Sequence, residues 1–78
     1  MMNRTMGMKI NGLDSALRVL TTLRRKQFQI DGFSMKEVGE NIAEMFVTIY
    51  DDKGGIMFQK ALLQMEKIAE VTEIAEVM

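Results

Sequence analysis

Cysteine, histidine, proline and tryptophan are all missing from this chain, and aromatic residues make up only 6% of it. Without cysteine there is neither a disulfide framework nor a thiolate metal site, a composition that suits a reducing cytoplasm and sets the expected location there. With histidine gone too, the chain lacks the commonest general base, the commonest nucleophile after serine and the best transition-metal ligands. No catalytic residue, metal or cofactor of its own is expected. Apolar runs stop at two or three residues, far short of the ~20 that a membrane-spanning helix requires. The opening Met1-Met2-Asn3-Arg4 has no apolar stretch behind its charge, so no secretory leader is expected. A net charge of −1 creates no field that favours nucleic acid or an anionic membrane.

What is present is a dense apolar pattern. Hydrophobic residues make up 47% of 78 positions, which reads as a single globular domain over residues 1–78. A core of this size rarely supplies more than ~3–5 kcal/mol by itself. With no disulfide or structural metal in prospect, a core shared with a second subunit is the expected remedy.

The pattern of elements repeats once. A strand at residues 5–10 leads to a helix at 13–26 and a strand at 28–35; a second strand–helix–strand pass follows at 43–50, 56–68 and 71–77. Two such halves predict the ferredoxin-like order βαββαβ, an α+β sandwich of one four-stranded antiparallel sheet with both helices on one face. The first helix is expected to start at Asp14 or Ser15, after the Asn11-Gly12 turn, with an apolar stripe of Leu13, Ala16, Leu17, Leu20 and Leu23. The second carries Phe58, Ala61, Leu62, Met65 and Ile68. Met6, Met8 and Ile10 share one strand face, as do Ala43, Met45, Val47 and Ile49. In the second strand Phe28 and Ile30 alternate, then the register slips at Asp31-Gly32, which predicts a bulge. The last strand, with Glu73 and Glu76, reads as an edge. Phe33, Phe46 and Tyr50 are expected on the face away from the helices, as a docking surface for a partner.

Few local motifs carry chemistry. Asp51 and Asp52 adjoin the Gly54-Gly55 turn without calcium-loop spacing and read as solvated. The glycine pair lacks the wider pattern of a phosphate loop. Arg24, Arg25 and Lys26 complement the dipole at the end of the first helix. RNA-recognition domains share this strand order, yet the first strand here has no aromatic on which a base would stack. An acylphosphatase-type phosphate site, with its Arg-Asn pair and glycine-rich loop, is also missing.

Two stretches point to a family. Ala16-Leu17-Arg18-Val19-Leu20 runs on to Arg24-Arg25-Lys26-Gln27-Phe28-Gln29-Ile30, a helix ending in basic residues followed by aromatic, polar and aliphatic positions that open a strand. Met65-Glu66-Lys67-Ile68-Ala69-Glu70-Val71 forms a similar helix exit. Together they resemble the ACT domain, and more narrowly the short small subunits of acetolactate synthase of the valine-insensitive type. The resemblance covers nearly the whole chain and implies a cytoplasmic homodimer. It further implies a non-catalytic subunit that activates a thiamine-diphosphate-dependent large subunit; the alternative it leaves open is a stand-alone sensor of a small amino acid. Family members bind their effector at the dimer interface, through an Asn-x-Pro-Gly loop and an Asn at the second strand. The corresponding positions here are Asn11, Gly12, Leu13, Asp14, Ser15, Gln29 and Ile30. Asp14-Ser15 stand where the family has Pro-Gly, and Gln29 where it has Asn. A side chain at Ser15 and the charge of Asp14 both oppose an approaching carboxylate, so weak effector binding is expected.

Overall fold

A computed structural model describes residues 3–77; Met1 and Met2, read above for a leader, lie outside the described residues. The elements are β1 (Asn3–Ile10), α1 (Leu13–Arg25), β2 (Ile30–Gly39), β3 (Ile42–Tyr50), α2 (Ile56–Glu66) and β4 (Thr72–Val77). The strands form one sheet in the order β2-β3-β1-β4, antiparallel at every step. This is the ferredoxin-like α+β fold that the alternation of the sequence predicts.

The core lies between one sheet face and the helices. Met6, Met8 and Ile10 of β1 stand opposite Val47, Met45 and Ala43 of β3, and all six are buried, as the period of two requires. Phe58, Ala61 and Met65 of α2 and Ala16, Val19 and Leu23 of α1 close over them. Each large side chain taken fully out of water here is worth about 1.5–3 kcal/mol.

Helix α1 departs from expectation in start and in facing. Its N-cap is Gly12, so Asp14 and Ser15 lie inside the first turn and neither serves as cap. Ser15, Ala16, Val19 and Leu23 are its buried residues, while Leu13 and Leu17 are 63% and 54% exposed. The expected stripe therefore misses Val19 and joins two neighbouring strips. One strip enters the core; the other, Leu13, Leu17 and Leu20, runs beside it. The helix ends in a Schellman arrangement, with Phe28 N–H donating to Leu23 O at 3.0 Å and Gln27 N–H to Arg24 O at 2.9 Å. Gln27 takes the left-handed conformation there, φ +67. Phe28, expected to open the second strand, is instead the apolar residue that locks this cap, and it is buried against the core.

Strand β2 is displaced and longer than expected, because its far half is exposed on both faces and its sequence reads as a polar connector. The bulge forecast at Asp31-Gly32 is present, with Ile30 opposite Ile49 and Gly32 opposite Thr48; a second shift follows between Glu37 and Gly39. Between them residues 32–37 are regular. β2 and β4 are the two edges of the sheet.

Candidate functional site

The positions expected to hold an effector divide between two ends of the sheet. Asn11 and Gly12 form the whole connection from β1 to α1. Leu13, Asp14 and Ser15 make the first turn of the helix, whose first bond runs from the Ala16 amide to the Gly12 carbonyl at 3.3 Å. The amides ahead of it lack a helical partner, and the Asp14 carboxylate supplies the negative charge this end favours. Leu13 and Asp14 are exposed, whereas Ser15 turns into the core. At the other end, exposed Gln29 donates through Nε2 to Asp31 Oδ1 at 3.1 Å, and its carbonyl accepts from the Tyr50 amide at 3.0 Å. Half-buried Ile30 is level with Ile49 and Arg4, whereas Asn11 follows Ile10, six residues further along β1. At ~3.3 Å per residue that is roughly 20 Å. A single chain does not gather this set.

The aromatic trio separates as well. Phe33 stands opposite Val47, a core residue, so it lies on the helix side of β2 and not on the open face with the other two. The extra residue of the bulge reverses the face of everything beyond it. Phe33 is nevertheless 58% exposed and borders Leu17 and Leu20 of α1 along a shallow groove. Phe46, opposite Gly7 and Ser34, and Tyr50, opposite Asn3, do occupy the face away from the helices. A Cβ at Gly7 would fall 3.0 Å from Phe46 Cε1 and 3.1 Å from Val77 Cγ2, so the ring lies over bare backbone. Phe46 thus covers its own sheet at Gly7, where no side chain stands.

No protein-family model matches this chain, and no curated protein matches it.

The structure includes a polar node with no counterpart among the residues expected to act. Asp51 is buried, and its carboxylate accepts from the Lys53 amide at 2.8 Å and the Phe58 amide at 3.0 Å. Asp51 is a structural cap on α2; of the two acids expected to be solvated, only Asp52 is exposed. The Asp51 carboxylate thereby takes the place an anion would occupy at the Gly54-Gly55 turn. Gly55 holds φ +100, and a Cβ there would meet the Arg4 guanidinium. Arg4 in turn bonds Glu76 through Nε at 2.8 Å and Nη2 at 2.5 Å and lies over the Phe58 ring, 4.8 Å from its centre. Burial alone would raise the Asp51 carboxyl; the amides of Lys53, Phe58 and Gly55, with Arg4, outweigh it and hold the group below its usual range. Glu76 is held low chiefly by its hydrogen bonds from Arg4, and Arg4 is raised by the same contact. An Asp two residues before a backbone amide and ahead of a Gly-Gly turn is a readable signal for the cap. Arg4 and Glu76 are 72 positions apart, and nothing local joins them.

Among the described residues, no group of acidic side chains could hold a metal ion, and no helix is long and apolar enough to cross a membrane. β2 is an edge of the sheet, and Phe33, Met35 and Val38 are exposed along it, Phe33 beside Leu17 of α1.

Proposed function

We propose that this chain is a non-catalytic subunit that works as a homodimer and activates the thiamine-diphosphate-dependent large subunit of acetolactate synthase. The condensation of pyruvate with a second 2-keto acid, which serves branched-chain amino-acid synthesis, is then wholly the large subunit's chemistry. The observation that carries the reading is the β2 edge with its flanking apolar strip: a protein that acts by association needs such a surface. The resemblance of its helix exits to acetolactate synthase small subunits supplies the partner's identity.

In this reading the effector residues come together only across the dimer, since one chain holds them at opposite ends of the sheet. Asp14 and Gln29 make that composite pocket a poor host for an amino-acid carboxylate, while Ser15 faces the core. Valine, leucine and isoleucine are expected to bind no tighter than about millimolar, roughly −4 kcal/mol.

The test is reconstitution. Added to purified large subunit, the chain is expected to raise acetolactate formation to a saturating plateau and to slow thermal inactivation of the complex. No binding and no rise in activity would overturn the subunit role. A micromolar valine site by calorimetry would move the reading to a stand-alone amino-acid sensor.

A further inference from the structure

We infer that β4 is a strap clasped by charge, which opens from the sheet ahead of the rest of the fold and does so more often as salt rises. The inference stands on the placement of three acids and is independent of the subunit reading above. Among the described residues Val71 is the last to be buried. Beyond it Ile74 is the only half-buried side chain, and Val77 is 43% exposed. The strand pairs with β1 alone, and a register shift between Gly7 and Lys9 interrupts that ladder. Glu73 and Ile74 there stand against the single residue Met8, and Glu73 holds φ +52, in the left-handed region that strains a residue with a side chain.

Charge supplies the hold that burial does not. All three ion pairs among the described residues fasten this last segment. Arg18 of α1 donates to Glu70 at 2.7 Å, ahead of the strand. Lys9 Nζ lies 3.2 Å from Glu73 near its start. Arg4 donates through Nε and Nη2 to the two oxygens of Glu76 near its end. β2, the other edge, carries no ion pair among the described residues, so this clasp is particular to β4. The paired side chains are between 32% and 67% exposed, which leaves them open to screening by salt. The side chains of β1 and β3 that face the helices are buried and owe nothing to charge. Release therefore stops at Val71 and Ile68, which stay in the core. It bares the backbone of β1 from Thr5 to Lys9 on the side that β3 does not cover.

Amide hydrogen exchange, followed residue by residue in the full chain, measures such an opening directly. Raising salt from about 0.01 M to about 0.5 M is expected to speed exchange of the β4 amides bonded to β1 at least about threefold, with those of β3 unmoved. The Glu70→Gln, Glu73→Gln, Glu76→Gln triple variant, its fold checked by circular dichroism, is expected to exchange in β4 about tenfold faster than the natural chain at low salt and to lose the salt dependence. The salt series on the natural chain needs no variant and decides the matter even if the triple variant does not fold. β4 amides that exchange only as fast as those of β3, or at a rate indifferent to salt, overturn the strap. A folded triple variant that keeps the full salt dependence overturns the clasp by these three acids.

Discussion

Gln27 holds a left-handed backbone conformation that costs an ordinary L-residue about 1–2 kcal/mol, at the C′ position where glycine carries no such cost. Part of that gain is offset because glycine adds freedom to the unfolded chain. Gln27→Gly is therefore expected to stabilise the protein by about 0.5–1 kcal/mol in urea unfolding, and a destabilised variant would contradict the cap. The Asp51–Arg4–Glu76 node acts through pH. Both carboxyl groups lie below their ordinary values of 3.8 and 4.5 in the folded state, so the unfolded chain binds protons that the native one refuses. Their contribution is complete above those ordinary values and is lost as the pH falls through the lowered native ones. Acid unfolding followed by circular dichroism is expected to steepen below about pH 4, and the Asp51→Asn, Glu76→Gln double variant to flatten that limb. An unchanged limb would mean the node holds no titration-linked stability.

At the scale of elements, α1 is two helices in one: Ala16, Val19 and Leu23 build the core, and Leu13 and Leu17 do not. Leu23→Ala is expected to cost about 2–5 kcal/mol, the price of a cavity in a packed interior. Leu17→Ala, measured at concentrations low enough to hold the monomer, is expected to change stability by no more than about 0.5 kcal/mol. Equal effects would refute the assignment of faces. The sequence made the helix itself legible, because apolar residues recur at steps of three and four. It did not separate the strips, since four leucines and an alanine look alike until a sheet chooses among them. Strand β2 shows the same limit. The glycine after Asp31 announced a bulge, but the strand's far half has no buried face and therefore no alternation to read.

At the scale of the whole molecule, the proposed role is association, and Phe33 is the most exposed aromatic side chain among the described residues. Phe33→Glu is expected to leave the circular dichroism spectrum unchanged while shifting the dimer to monomer in sedimentation and abolishing activation of the large subunit, since a buried unpaired charge at a symmetric contact is introduced twice. A well-folded Phe33→Glu dimer would remove this edge from the interface. Phe46→Ala has a different expected outcome: the ring lies over Gly7, so its removal exposes sheet backbone and lowers stability first.

The order of elements, the inward faces of β1 and β3 and the bulge were all determined by the sequence alone, because period, composition and turn residues are local properties. Which strip of α1 enters the core, which face Phe33 takes and how Arg4 reaches Glu76 were decided only by the tertiary structure. Each of those depends on a neighbour distant in the chain: a sheet that selects one strip, a register that sets the parity of a strand, and an edge strand that returns the last residues beside the first.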